Sequence, residues 1–377
     1  MKEELKIDII PQSFKLQWHI TERCNFRCKH CYQENYNTPE ISLIQMRDIL
    51  RQFVELVKKW KIAPSRASLS LGGGEPLLFK DFFVFLAEVY KFLSFYRWDI
   101  MSNGSLVTEE NAKILKSFGI NSFQVSLEGL ETNNNKIRGE GNFRKALEGI
   151  KILVREKIYT TVGLTLTREN IRDIIPLVEL LAGVGVKLFL VRRFVPRGQG
   201  FQLINELLEP RELLKIYRRI EEENKSLFQK NSPLRMPLAC ENAFFGKNPR
   251  QGLYCGVAIG RILTLMPNGD VYPCRRLPIK IGNILENSLE EIYYSEKNRE
   301  IRDISKAPEF CRENCSFFNN CFGGAKCITY AYSGRLDIPD IQCWRAYKKI
   351  GQRKESIKDK LENLRENIVK KINFDKY

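Results

Sequence analysis

"FKLQWHITERCNFRCKHC", residues 14–31, joins a strand-like apolar run directly to three cysteines, Cys24, Cys28 and Cys31, spaced Cys-x3-Cys-x2-Cys. In a parallel sheet covered by helices, reactive groups gather at the carboxyl ends of strands, so a loop leaving a strand in this way is placed for chemistry. A structural zinc site is closed and four-coordinate and asks for a fourth Cys or His nearby. His30 is wedged between Lys29 and Cys31, where closing a tetrahedron is awkward. Three close thiolates without a fourth suit an iron-sulfur cube that leaves one iron open to a small molecule.

On either side of this stretch, up to about residue 195, strand-like runs alternate with helical patterns. The runs are KLQWHI (15–20), RASLSL (66–71), RWDIMS (97–102), SFQVSL (122–127), TTVGLTL (160–166) and KLFLVRR (187–193). Helical patterns cover about 41–59, 79–94, 108–117, 142–155, 170–182 and 209–228. Six βα units predict an α/β fold with a parallel sheet under helices, too few for a complete eight-stranded barrel. The alternation stops near residue 232, and eight cysteines follow between 240 and 343, so three segments are expected: 1–232, 233–347 and a basic helix over 348–377.

The second strand ends in LSLGGGEPLLF, residues 69–79. Its glycines let the backbone approach a ligand closely. Glu75 makes an anion an unsuitable guest and an ammonium group a suitable one. Near the other end of the chain, GRILTLMPNGDVYP (260–273) reads as a hairpin between Cys255 and Cys274.

The length of 377 residues allows more than one domain, and eleven cysteines in a chain with no signal-peptide pattern point to metal or catalytic thiols in a reducing cytoplasm. No run of about 20 apolar residues marks a membrane helix. The charge of +16 is concentrated in part in the last 33 residues, where Ile350, Ile357, Leu361, Leu364 and Ile368 form one stripe of a mixed-charge helix. That pattern reads as a packing helix with a solvated face and not as a nucleic-acid surface.

CNFRCKHC followed by GGEP resembles the radical S-adenosylmethionine (SAM) enzymes over about residues 14–200. The resemblance implies a partial TIM-like (β/α)6 barrel. It also implies a 4Fe-4S cluster on Cys24, Cys28 and Cys31 whose open iron is chelated by SAM, and Gly73, Gly74 and Glu75 at the methionine amino group. His30 takes the place of an aromatic residue that packs against the cluster or the adenine. Ser126 in SLEG and Arg138 in KIRG become candidates for the cofactor's ribose or carboxylate, and Val195 for its adenine. The implied reaction is reductive cleavage of the sulfonium to a 5′-deoxyadenosyl radical that abstracts hydrogen, with a low-potential flavodoxin or ferredoxin as electron donor.

The later cysteines resemble the SPASM extension of that superfamily. The resemblance assigns Cys255, Cys274 and Cys327, with Cys240 as fourth ligand, to one auxiliary 4Fe-4S cluster, and Cys311, Cys315, Cys321 and Cys343 to a second. All eleven cysteines are then used, and the cofactors are SAM and three 4Fe-4S clusters. The gaps after Cys311 and Cys321 are longer than in the usual pattern. Two zinc sites of four cysteines each are the structural alternative.

With no cysteine left over, hydrogen return by a free thiol is disfavoured; with Arg275 and Arg276 beside Cys274, where sulfatase maturases carry an acid, sulfatase maturation is disfavoured too. The expected activity is oxidative modification of a peptide or protein, with crosslinking of a ribosomally made precursor. A separate leader-binding protein is a possible partner, and no leader-binding domain is expected at the N-terminus. Tyr32, Arg193, Arg197 and Arg275 are candidates for the substrate mouth. The alternatives are radical biosynthesis of a haem derivative or quinone, and a non-catalytic zinc-binding or electron-transfer protein.

Overall fold

The computed structural model describes residues 10–231 and 255–346. Cys240, the expected boundary at 232 and the basic helix over 348–377 lie outside the described residues.

Six parallel strands follow in order: β1 (Phe14–Thr21), β2 (Ala67–Gly73), β3 (Arg97–Ser102), β4 (Ser122–Ser126), β5 (Thr160–Leu166) and β6 (Leu188–Arg193). Helices α1 (Leu43–Lys59), α2 (Phe82–Leu93), α3 (Glu109–Ser117), α4 (Glu131–Arg138), α5 (Asn142–Arg155), α6 (Ile174–Val184) and α7 (Pro210–Gln229) connect or follow them. The six expected strands and the six helices expected up to residue 228 are present, with ends displaced by a few residues. The helix that sequence periodicity misses is α4.

Register explains why these strands alternate in character. Leu16, Trp18, Leu69, Leu71, Ile100, Val125 and Phe189 face the helices and are buried, and the Trp18 ring meets Phe85 of α2 edge-on at 5.2 Å. The opposite face is polar or small: Ser70 pairs with Asp99, and Gln17, His19, Gly72, Gln124, Gly163 and Arg192 line a cavity. This is the half-buried strand pattern of a barrel with a wet interior.

The barrel stays open, because the sheet order is β6-β5-β4-β3-β2-β1-β7-β8-β9. β7 (Ile262–Leu265) adds parallel to β1, and β8 (Asp270–Tyr272) and β9 (Gly282–Asn283) continue antiparallel. The expected hairpin therefore exists and is welded to the main sheet. Short helices follow: α8 (Leu289–Tyr293), α9 (Glu296–Arg302), α10 (Glu309–Asn314), α11 (Phe318–Cys321) and α12 (Lys326–Ser333). The C-terminal part also reaches the far edge of the barrel. Asp340 takes Arg193 of β6 in a two-pronged ion pair at 3.0 and 2.9 Å, and both side chains are about 1% exposed.

Candidate active site

A cavity of about 190 Å³ opens at the carboxyl ends of β1 to β6. Its wall includes Cys24, Cys28 and Cys31, Gly73 and Gly74, Ser126, Arg138 and Val195, and His30. One space thus gathers all of the proposed cofactor residues except Glu75.

The cysteine loop is fastened on both sides. Arg27 donates to the Cys24 carbonyl at 2.7 Å and lies over the Tyr36 ring at 3.8 Å. The Gln33 amide donates to Cys31 Sγ at 3.4 Å, and Arg138 Nη1 approaches Cys28 Sγ at 3.9 Å. Burial raises the pKa of all three thiols, that of Cys28 to about 11. These are soft donors that remain protonated until a cation draws them into the thiolate form, which fits an iron-sulfur centre. Among the described residues no three His, Cys, Asp or Glu side chains converge closely enough to hold a single metal ion, so the thiols bracket a space and do not meet at a point.

The glycine bend is forced by contact. A Cβ on Gly73, at φ 142°, would lie 2.1 Å from the Thr21 carbonyl oxygen, and one on Gly74 would lie 2.3 Å from that of Arg23. Only glycine lets β2 and the cysteine loop touch, sealed by Gly74 N–H to Thr21 O at 2.9 Å.

The Glu75 carboxylate is engaged within the fold. It is fully buried, accepting from Ser102 Oγ at 2.8 and 3.0 Å and from the Asn103 amide at 2.9 Å. The SNG motif at residues 102–104 therefore holds Glu75, and what the bend turns to the cavity is glycine backbone. Burial outweighs these hydrogen bonds and pushes the Glu75 carboxyl up to about 7.

Glu128, in the SLEG turn after β4, is the residue sequence reasoning passed over. Its Oε1 accepts from Arg138 Nε at 3.1 Å and lies 3.0 Å from His30 Nε2, while Oε2 accepts from the Thr165 amide at 2.6 Å. Burial would raise its carboxyl, but Arg138 and His30 outweigh that and hold it down at about 2. His30 thus stands against Glu128, in addition to lining the cavity, and its Nδ1 is buried without a partner. Ser126 sits half-buried at the end of β4 and Val195 is buried just beyond β6.

The mouth candidates separate into two kinds. Arg193 is committed to Asp340, so its role there is to tie β6 to the C-terminal part. Arg275 is buried beneath the mouth, and Arg197 donates to its carbonyl at 2.9 Å. The Tyr32 ring lies 5.2 Å from the Arg275 guanidinium.

Two further thiol groups form beyond the cavity. Burial pushes Cys327 up to about 12; Arg276 opposes the shift, and neighbouring Cys274 and Cys255 add to it. Cys311, Cys315, Cys321 and Cys343 line a small hollow of about 20 Å³ with Phe317, Phe318 and Arg345. Burial raises Cys311 to about 12, and Cys343 and Cys315 push it the same way. The structure thus places Cys255 and Cys274 near Cys327 and sets Cys311, Cys315, Cys321 and Cys343 around one hollow, while Cys240 lies beyond the described residues.

Comparison with known proteins agrees with this arrangement. The family model described as the Radical SAM superfamily matches residues 18–181, and that described as SPASM, an iron-sulfur cluster-binding domain, matches residues 255–316. Fe-coproporphyrin III synthase of Methanosarcina barkeri (strain Fusaro / DSM 804) is 26% identical over 369 residues, 89% of this chain and 88% of the relative. AdoMet-dependent heme synthase of the same strain is 26% identical over 341 residues, 85% of this chain and 93% of that protein. Among solved structures, Streptococcus suis SuiB bound to S-adenosylmethionine has a TM-score of 0.69 at 18% identity, covering 88% of this chain and 77% of that one. anSMEcpe with AdoMet and the Cp18Cys peptide has a TM-score of 0.72 at 18% identity, covering 94% of this chain and 99% of that one. At these identities the solved structures establish the shared fold. With the cysteine cavity and the fold in agreement with both family models, the chain carries a Radical SAM superfamily domain over residues 18–181 and a SPASM iron-sulfur cluster-binding domain over residues 255–316.

Proposed function

We propose that this enzyme oxidatively modifies a peptide or protein side chain, forming a crosslink in a precursor peptide. The observation that carries the reading is one cavity wall that joins the three-cysteine loop to the loop after β8, where Arg275 and Arg276 follow Cys274. A hydrogen-abstracting centre and an electron-accepting one then flank the same substrate space.

Cys24, Cys28 and Cys31 would hold the SAM-binding 4Fe-4S cluster. Cys255, Cys274 and Cys327, with Cys240, would hold a first auxiliary cluster, and Cys311, Cys315, Cys321 and Cys343 a second. When bound, the cluster and SAM supply one-electron cleavage of the sulfonium to a hydrogen-abstracting nucleoside radical. The chain's part is to position and exclude. Gly73 and Gly74 would present backbone to the methionine amino group, Ser126 and Arg138 would serve its ribose or carboxylate, Val195 would back the adenine, and the inner strand faces would surround the substrate. A low-potential electron donor completes the cycle.

The peptide reading is supported by SuiB, solved bound to its precursor peptide SuiA, and by the peptide complex of anSMEcpe. A second reading, tetrapyrrole modification, is favoured by the two Methanosarcina relatives and by the arginines on the cavity wall. The test incubates reconstituted enzyme with SAM, a low-potential reductant and either precursor peptides encoded beside its gene or Fe-coproporphyrin III. The expected result is a peptide that has lost two hydrogens, with 5′-deoxyadenosine formed alongside. Turnover of the porphyrin with untouched peptides would overturn the peptide assignment.

A further inference from the structure

Five arginines face the cavity: Arg138, Arg192, Arg193, Arg275 and Arg276. Two of them are committed to carboxylates, Arg138 to Glu128 and Arg193 to Asp340. Arg275 stands differently. It is only 6% exposed, its Nε has no hydrogen-bond partner, and its ion-pair contact is a 3.6 Å approach to Glu22. That separation lies beyond ordinary hydrogen-bond reach, and the Glu22 carboxylate also accepts from Thr38.

Arg192 rises from the inner face of β6. Its Nη2 donates to Gln124 Oε1 at 2.9 Å, while its buried Nε is also without a partner. The Tyr32 ring lies against the same wall, 5.2 Å from the Arg275 guanidinium. His19, on the same wall, is kept neutral by burial, with Arg275 adding to the effect. The cation here is therefore arginine, and on both Arg275 and Arg192 the buried Nε is left without an acceptor.

A buried guanidinium short of acceptors is costly, and a carboxylate matches its planar fork with two parallel hydrogen bonds. We propose that Arg275, assisted by Arg192, grips a carboxylate of the substrate between the cysteine loop and Cys274. The inference rests on the radical reading of the same cavity and narrows its substrate class to one with an acid group close to the reacting carbon. An Asp or Glu of a peptide and a propionate of a porphyrin present the same chemistry.

The test is equilibrium binding to anaerobically reconstituted holoenzyme with SAM present. One arm uses peptide pools matched except for Glu against Gln; the other uses Fe-coproporphyrin III against its tetramethyl ester. The expected result is at least a tenfold preference for the carboxylate form in one arm, which also identifies the source. Arg275→Gln and Arg192→Gln should abolish that preference, Arg275→Lys should retain part of it, and Glu22→Gln, which removes the competing carboxylate, should strengthen it. The proposal is overturned if neither arm distinguishes charged from neutral probe. It is equally overturned if Arg275→Gln and Glu22→Gln keep the wild-type preference, or if Arg275→Gln weakens only SAM. Nucleoside formation by the wild type without any probe is measured alongside. Its absence would sink the radical reading, while the carboxylate preference is read from binding alone.

Discussion

Removing the Glu128 carboxylate would leave Arg138, 8% exposed, without its ion-pair partner and free the Thr165 amide from its acceptor. Breaking a buried pair from one side costs about 3–5 kcal/mol, so Glu128→Ala should lower the urea midpoint by a corresponding amount; an unchanged midpoint would remove Glu128 from its central place. Glu75 makes a prediction of opposite pH sense. Its carboxyl, ordinarily near 4.5, is pushed up to about 7 by burial. The protonated form therefore favours the folded chain, fully below about pH 4.5, and the gain is lost as pH rises through about 7. Stability should fall by about 1 kcal/mol per pH unit between pH 5 and 7 in the wild type. That slope should flatten in Glu75→Gln, as melting curves at several pH values would reveal. The cysteines and the glycine run were legible because their spacing is itself the chemistry. Glu128 was not: a lone acid after a strand looks like any turn residue until Arg138 and His30 are seen to meet it.

The six strands of the barrel could be read from their two-residue alternation, and most helices from an apolar stripe. Helix α4 escaped because its buried side includes polar residues. Asn134 accepts from the Glu128 amide and donates to Asn142, and Asn135 accepts from the Phe143 amide, so tertiary hydrogen bonds replace the apolar face that periodicity detects. The parallel addition of β7 to β1 was equally hidden, since a four-residue strand carries no record of its partner. The contact between β2 and the cysteine loop yields a sharper prediction. A Cβ at Gly74 meets backbone of both Glu22 and Arg23, at 2.6 and 2.3 Å, and neither can rotate away. Gly74→Ala should therefore displace the loop and weaken SAM binding by at least about tenfold, roughly 1.4 kcal/mol, in equilibrium dialysis of the reconstituted protein. Wild-type affinity in that variant would show that the loop tolerates the shift.

At the scale of the molecule, the C-terminal part spans the gap of the open barrel. β7 hydrogen-bonds to β1 on one edge, and Asp340 clasps Arg193 of β6 on the other, with Gln342 donating to the Leu208 carbonyl at 2.8 Å. The Arg193–Asp340 pair joins residues 147 apart in sequence and is about 1% exposed on both sides. Asp340→Ala should cost about 3–5 kcal/mol and expose the described C-terminal part, residues 255–346, to limited proteolysis, which would leave the six-stranded part comparatively resistant. Sequence could group the cysteines of this part but not show that it touches both β1 and β6 of the open barrel, because those contacts join residues distant along the chain. The two family models assign SAM and iron-sulfur chemistry to this chain, and the function proposed above gives each of the three thiol groups a cluster of its own. The decisive measurement is anaerobic reconstitution with iron and sulfide, followed by iron per chain and release of 5′-deoxyadenosine from SAM under a strong reductant. About twelve irons per chain, with nucleoside formation abolished when Cys24, Cys28 and Cys31 are all replaced by alanine, is the predicted result. Zinc in place of iron, or fully loaded protein that releases no nucleoside, would contradict it.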